Sequence, residues 1–450
     1  MAKRRIHPYT IIIISFVITV LLGTMFLALP ISSTTGKSIG FVDALFMSTS
    51  SVCVTGLGVV NPSTDFTMFG QIVMIVLMEI GGLSFITIAI FFFTILGAKI
   101  GVGSSFLLRE SLNQSSSNGI ISLVRKIIVI SFTIQLICAA INLIPIYDIT
   151  GGNWKDTILI SLYHSAASFN NAGFDIFPGD TSLISYADNI ILNTTTILMI
   201  VLGGIGFIVI DDVIRRRRWR KLTLHSKVTL TITFILISIG TLLIKLTYRD
   251  LTWLQSLFSS VTCRTAGFTT FDVSTIANHP GTYIIMILLM MIGASSCSTG
   301  GGIKTSTFTL IIVTIFYYAI GKKSKLFKRS INDSLMVKAF VLMNISVLFV
   351  VFSSLVAFVA QDLFKGPEIG FQSMFFEIVS AFSTTGLSMG ATTSLCVFNR
   401  VFLCFVMLFG RLGPLTVINV VNKNWMADFK EPIGYPEENV IIGWKRKYLW

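Results

Sequence analysis

The sequence predicts an all-α polytopic membrane protein in which a unit of span, re-entrant loop and span occurs four times. Three observations carry that prediction. Apolar residues make up 53% of the chain and charged residues only 12%, with a mean hydropathy of +0.82; soluble domains carry roughly 25% charge. Eight stretches reach about the ~20 apolar residues that cross a bilayer. Between them a polar, glycine-containing motif recurs four times, each copy followed at a steady distance by a second glycine landmark.

The eight spans run at about 10–29, 67–96, 127–146, 189–210, 228–246, 282–320, 339–361 and 397–421. The first follows Lys3, Arg4 and Arg5 and could be taken for a secretory leader. It is too long for one, and Pro30 stands where a small-residue cleavage site is wanted, so it reads as a retained helix. With eight spans and a cytoplasmic N-terminus, the cytoplasmic segments hold 25 of the 34 Lys and Arg. The external ones hold six: Lys37, Lys155, Lys245, Arg249, Lys365 and Arg400. This positive-inside bias sets both termini in the cytoplasm of a cell-membrane protein. It also accounts for most of the net charge of +13, which therefore does not indicate nucleic acid. Basic clusters at Arg215 to Arg218 with Arg220 and Lys221, at Lys322 to Arg329 and at Lys445 to Lys447 leave a remainder for an acidic partner or lipid headgroups.

Chemistry is sparse. The six cysteines form no C-x-x-C pair, and the four histidines, His7, His164, His225 and His279, are scattered. No phosphate-binding loop, nucleophile elbow or zinc helix motif occurs, so neither an enzyme nor a bound cofactor is expected.

The repeats are the informative feature. The four copies read DALFMSTSSVCVTGL from Asp43, ISLYHSAASFNNAGF from Ile160, WLQSLFSSVTCRTAGF from Trp253 and SMFFEIVSAFSTTGL from Ser373. Phe46, Tyr163, Phe258 and Phe376 precede Gly56, Gly173, Gly267 and Gly386 by ten residues, or nine in the third copy. The second landmarks are EIGGLSF at Glu79, LGGIGF at Leu202, IGASSCSTGGGIK at Ile292 and FGRLGPL at Phe409. The first glycine of each lies 25, 30, 26 and 24 residues after those loop glycines. Gly81, Gly82, Gly203 and Gly204 read as helix-packing positions.

About 12 residues before each polar run are too few to cross a bilayer but enough for three helical turns, about 18 Å. A half-length helix that enters from outside and returns as extended backbone fits. Irregular backbone at membrane depth is tolerated only where protein buries it or water reaches it. Four inward-pointing helix C-termini, each carrying roughly half a negative charge, favour a cation. Glycine can turn its carbonyl toward the axis at φ > 0. Thr55, Thr265, Thr384 and Thr385 can add hydroxyls or brace the loops, and Asn170 and Asn171 stand in their place in the second copy.

These residues resemble the Trk/Ktr/HKT superfamily of K⁺ transporters, most closely the bacterial Ktr pore-forming membrane subunit. CVTGL, NNAGF, CRTAGF, STTGL, SSCSTGGGIKTST and FGRLGP carry the resemblance, which covers nearly the whole chain. It implies four units of first helix, pore helix and second helix: eight transmembrane helices and four re-entrant pore loops around a pseudo-fourfold pore. The expected units are 1–105, 106–220, 221–325 and 326–422, followed by a cytoplasmic tail at 423–450. The implied K⁺ filter is Val54, Thr55 and Gly56; Asn171, Ala172 and Gly173; Thr265, Ala266 and Gly267; Thr384, Thr385 and Gly386. Gly56, where Na⁺-preferring relatives often carry serine, implies K⁺ as the transported ion, with Na⁺ a candidate activator.

The sixth span is too long for one helix, since 37 residues would extend about 55 Å against a ~30 Å hydrocarbon core. Its centre, 293–307, holds three consecutive glycines among serines and is expected to unwind. The candidate gate there comprises Gly293, Ser295, Ser296, Ser298, Thr299, Gly300, Gly301, Gly302 and Lys304. For Lys304, snorkelling toward the cytoplasm and a gating role stay open. Arg411 is a costly charge within the last span; the resemblance implies that it lies near the gating loop and limits passage. Glu79 is its candidate counter-ion. Arg264 is expected to brace the third loop, because a bare cation in the path would repel K⁺. The resemblance further implies a homodimer in the lipid bilayer, docked on a cytoplasmic ring of RCK-domain subunits that bind ATP or ADP. The basic loops at 215–221 and 322–329 are its candidate contacts. A secondary transporter with parallel repeats and discontinuous helices is the alternative, though it should carry more intramembrane acids than Glu79.

Overall fold

The computed structural model describes residues 8–84, 87–88, 120–179 and 182–421. The expected tail at 423–450, residues Lys3 to Arg5, the last part of the 67–96 span and the start of the second unit lie outside them.

The described chain is almost entirely helical. In order it forms α1 (Pro8–Leu27), α2 (Phe41–Val52), α3 (Met68–Leu83), α4 (Ile120–Ile149), α5 (Trp154–Asn170), α6 (Ile190–Ile205) and α7 (Phe207–Arg216). There follow α8 (Leu224–Thr247), α9 (Trp253–Thr262), α10 (Pro280–Met291), α11 (Thr305–Ala319), α12 (Asp333–Leu363), α13 (Phe371–Ser383), α14 (Val397–Leu412) and α15 (Pro414–Val421). Two short strands, β1 (Lys325–Leu326) and β2 (Arg329–Ser330), pair antiparallel within the basic cluster at 322–329.

Helix starts follow local chemistry. Thr67, Asn153, Asn189, Thr223 and Asn332 each accept a backbone N–H at a helix N-terminus, and Thr252 with Gln255 forms a full capping box. Such caps satisfy donors that the helix itself leaves unpaired. Four helices among the described residues, α1, α4, α8 and α12, are long and apolar enough to cross a bilayer. On α12 the outer face is greasy and the inner face small: Leu348, Val351, Phe352 and Leu355 are exposed, while Ser346, Ser353, Ser354 and Ala357 are buried. Small residues on the inner face let helices approach closely in lipid, where no hydrophobic effect drives them together.

The other apolar segments differ from the continuous spans expected. The 282–320 stretch does break, into α10 and α11. Three further breaks were not expected. The helix α3 stops at Leu83 before Ser84 (φ 72), α6 turns by 95° into α7 at Gly206 (φ 100), and α14 gives way to α15 at Gly413 (φ 78). Each break falls three residues after a landmark glycine, Gly81, Gly203 or Gly410. A positive φ reverses the backbone and ends the helical hydrogen-bond ladder. In the third copy the same place holds the unwound segment 292–304; the last three residues of the expected 293–307 loop open α11 instead.

The packing closes on itself. The helices α2, α5 and α13 each pack against the long helix before them and the helix after them, while α9 packs against α8. Each is also touched by the second helix of the preceding copy: α14 on α2, α3 on α5, α6 on α9 and α10 on α13. A half-buried ion pair seals the junction of last and first copies, Arg400 Nη1 to Asp43 Oδ1 at 2.7 Å. Two apolar cores sit inside, one mostly from the first half of the chain and one mostly from the second, both reaching Leu45, Val59 and Leu408.

Candidate functional site

The four polar runs share one backbone trace. Two residues before each loop glycine the chain adopts a positive φ, at Val54 (56°), Asn171 (60°), Thr265 (78°) and Thr384 (51°). The glycines do so again, at Gly56 (95°), Gly173 (69°), Gly267 (83°) and Gly386 (87°). For β-branched valine and threonine this is strained backbone, of the kind that clusters at functional sites and persists only when surroundings over-determine it. Asn171 tolerates it most easily, which explains asparagine in the second copy. The intervening N–H reaches back to the helix, Thr55 to Ser50 O at 2.8 Å, Ala172 to Ala167 O at 2.8 Å and Thr385 to Ser380 O at 2.9 Å. Ala266 instead reaches Thr262 O at 2.9 Å, one residue nearer, which absorbs the shorter interval of the third copy.

The glycines form a ring. A Cβ on Gly56 would meet Ala172 O at 2.6 Å, one on Gly173 would meet Ala266 O at 2.8 Å, and one on Gly267 would meet Thr385 O at 2.5 Å. One on Gly386 would collide with Thr55 O, which closes the circuit in chain order. Thr55, Ala172, Ala266 and Thr385 thus each set a carbonyl against a neighbouring loop glycine. No side chain fits between them.

The landmark glycines support this ring from outside. Gly81 lies against Val52 O, Gly203 against Phe169 O and Gly410 against Phe382 O. Each of those carbonyls is four residues before a loop glycine, at the end of a short helix. Side chains brace it as well. Asn171 Nδ2 donates to Thr265 Oγ1 at 3.3 Å, and Asn170 Nδ2 donates to Glu79 Oε1 at 2.9 Å. Glu377, buried on α13, accepts hydroxyls from Thr392 (2.9 Å) and Ser388. It ties the segment that follows the fourth polar run to α13.

The 293–307 segment lies directly against the loops. Gly300 packs on Thr265 and Gly301 on Thr384, whose Oγ1 accepts from the Gly301 N–H at 2.9 Å. Ser295 N and Thr299 N donate to Gly204 O (3.1 Å) and Gly203 O (3.3 Å), and Gly293 packs against Gly301. Ser295 bonds Thr305 at 3.2 Å, Ser296 bonds Ser306 at 3.0 Å, and Ser298 donates to Ser295 O at 2.7 Å. Gly302 takes φ 68, and Lys304 Nζ donates to Gly300 O at 2.7 Å. The lysine ammonium is thus directed back toward the loop.

Arg411 does not pair with Glu79. Its guanidinium donates to the carbonyls of Thr299, Gly81 and Gly82, while Glu79 is taken up by Asn170. Five donors in a planar fork suit such bridging of several carbonyls. Arg411 therefore spans from the unwound segment to the end of α3. Together with Lys304, Ser296, Ser298, Ser84 and Gly413 it lines a cavity of about 320 Å³ that opens beneath the segment. Arg264 is buried beside the third loop, out of the glycine ring. Of the helix breaks at Ser84, Gly206 and Gly413, only the last carries a mark in the sequence, the pair Gly413-Pro414. Among the described residues no group of histidine, cysteine and carboxylate side chains could hold a metal ion.

The chain matches the family described as "TrkH: Cation transport protein" over residues 2–248 and 224–428. It is 37% identical over 455 residues to the Ktr system potassium uptake protein B of Bacillus subtilis (strain 168), covering 98% of this chain and 97% of that protein. To the potassium/sodium uptake protein NtpJ of Enterococcus hirae it is 36% identical, with 98% of each covered. Its fold is similar to the crystal structure of the potassium transporter TrkH from Vibrio parahaemolyticus, at TM-score 0.72 and 17% identity over 94% of this chain and 87% of that one. With its apolar helices and a match over nearly its whole length, this multi-pass membrane protein belongs to the TrkH cation transport family, within the Trk/Ktr/HKT superfamily.

Proposed function

We propose that this chain carries K⁺ into the cell through a channel-like filter made by its four polar runs. The observation that carries this reading is the closed ring of Gly56, Gly173, Gly267 and Gly386, each against a carbonyl oxygen of the next copy. Backbone carbonyls around an axis replace the hydration shell of a K⁺ ion, and the C-terminal ends of α2, α5, α9 and α13 add a favourable potential. In this reading the molecule has eight transmembrane helices and four re-entrant pore loops, divided near 105, 220 and 325. The relatives' own names support the substrate: one is a potassium uptake protein and another a potassium/sodium uptake protein.

The gate in this reading is 293–307 with Lys304 and Arg411. The hydrogen bonds of that segment to Thr384, Gly203 and Gly204 support its position below the filter. The termini face the cytoplasm, on the evidence of the Lys and Arg asymmetry. Regulation comes from a nucleotide-binding ring of RCK type under a homodimer; the basic loops at 215–221 and 322–329 offer it a docking face.

The test is cation flux into liposomes holding the purified protein, K⁺ against Na⁺, for wild type and Gly56→Ser. Wild type should favour K⁺, and the serine variant should lose about tenfold of that preference, equivalent to ~1.4 kcal/mol. Flux that ignores both the ion and Gly56 would return the chain to a rocking carrier.

A further inference from the structure

Beneath the 95° bend between α6 and α7 lies a second cavity, of about 550 Å³, away from the glycine ring. Its walls come from α4, α6, α7 and α8. Every lining residue except Thr133 is aliphatic, including Val129, Leu202, Val213, Ile214 and Leu230. It opens sideways. Val213 and Ile214 are exposed on α7, and Val129 is exposed on α4, as are Phe132, Leu136 and Ile144. The groove is thus continuous with the face the bundle presents to lipid tails.

Arginines follow the lining residues along both helices. Arg125, Val129 and Thr133 follow one another at intervals of four on α4, so the lining face of that helix begins at an arginine. On α7 Val209 and Val213 line the groove at the same spacing, and just past the helix end at Arg216 the chain turns at Arg217 (φ 52), with Arg218 next. Neighbouring cations are already paired: Lys126 and Arg215 both reach Asp211, at 3.4 and 2.9 Å, and Arg216 reaches Asp212 at 2.6 Å. Among the described residues Arg125, Arg217 and Arg218 enter no ion pair, and all three are exposed.

We propose that this groove binds an anionic phospholipid, an acyl chain lying between α4, α6, α7 and α8 and the phosphate held by Arg125, Arg217 and Arg218. The pairing of chemistries is the argument. An apolar trough opening to the lipid-facing surface accepts a hydrocarbon chain and little else. Basic pockets between membrane helices at the cytoplasmic side hold anionic headgroups. A lipid so placed splints the α6–α7 bend, and α6 packs on α9, the short helix of the third copy.

The test reads lipid, not ion flux, so it stands apart from the transport reading. Detergent-purified full-length protein is titrated with phosphatidylglycerol or phosphatidylcholine, and retained lipid is counted by native mass spectrometry. Wild type should retain phosphatidylglycerol over phosphatidylcholine by at least about tenfold, with each arginine contributing roughly fivefold. The variant carrying Arg125→Gln, Arg217→Gln and Arg218→Gln should lose the preference, and Val213→Trp should lose retention altogether. Equal retention of the two lipids by wild type would overturn the proposal, as would a glutamine variant with an intact preference. Retention unchanged in Val213→Trp would do so too; if that variant also lost its oligomer, the groove would belong to a second copy of the chain. Should Val213→Trp fail to fold, the glutamine variant, which alters only exposed side chains, decides alone.

Discussion

The hydroxyl of Thr384 accepts the backbone N–H of Gly301 at 2.9 Å, so a residue of the fourth polar run and a residue of the unwound segment share one hydrogen bond. Gly301 also packs against the Thr384 methyl group, at 2.8 Å from where its Cβ would stand. The strained backbone of the loop thus rests on the segment below it.

Thr384→Val keeps the shape and branching of the side chain and removes only the acceptor. A net hydrogen bond is worth about 1 kcal/mol, so basal K⁺ flux in liposomes should rise roughly fivefold as the segment loosens. The K⁺ to Na⁺ ratio should hold, because the glycine ring is untouched. A collapse of that ratio with unaltered flux would mean that the bond serves the loop alone.

Arg411 holds the segment through Thr299 O and α3 through Gly81 O and Gly82 O. Arg411→Gln should raise flux further than Thr384→Val, since it removes both a clamp and a positive charge beside the proposed cation path. Arg411→Lys should restore the charge but not the fork that spans three carbonyls, and so should leave flux well above wild type. Stopped-flow or electrode recording on the three proteins separates the two contributions.

Gly410 and Gly413 give a matched pair. A Cβ at Gly410 would strike the Phe382 carbonyl, whereas nothing lies within 4 Å of one at Gly413, where only φ 78 opposes it. Gly410→Ala should cost about 1–3 kcal/mol as overpacking, and Gly413→Ala about 1–3 kcal/mol because φ 78 with ψ 149 is backbone that glycine alone reaches easily. Thermal unfolding in detergent should therefore show both variants less stable than wild type, and only Gly410→Ala should displace α13 and its loop.

The Asp43–Arg400 pair joins residues 357 apart in the chain, with side chains 27% and 23% exposed. A double-mutant cycle with Asp43→Asn and Arg400→Gln should give a coupling of about 0.5–1 kcal/mol that weakens in high salt. Arg400 also donates to Leu395 O and Thr393 O, so Arg400→Gln alone should cost more than Asp43→Asn.

Much of this architecture was legible because it was written four times. One polar run beside a glycine says little. Four, each preceded by an aromatic and followed by a landmark, identify Gly56, Gly173, Gly267 and Gly386 together. The unwinding between α10 and α11, at 292–304 against the expected 293–307, was legible from helix propensity, since consecutive glycines sum a local penalty. The breaks at Ser84 and Gly206 were not, because each depends on one residue in an otherwise apolar run, and hydropathy counts such residues as part of the span. Glu79 and Arg411 were visible as costly charges, but their partners were not. Asn170 and three backbone carbonyls claim them instead, and carbonyls leave no mark in a sequence.

Each short helix leans on the second helix of the copy before it, and for α2 that neighbour is α14, which the ribosome delivers more than 300 residues later. The first polar run must therefore wait, half wrapped, through the synthesis of everything between. The fourth run sets Gly386 against Thr55, and the arrival of α14 completes the burial of α2. The ring is thus a product of the finished chain: a nascent fragment that lacks the fourth copy leaves the first quarter open, however much of the rest is already in the membrane.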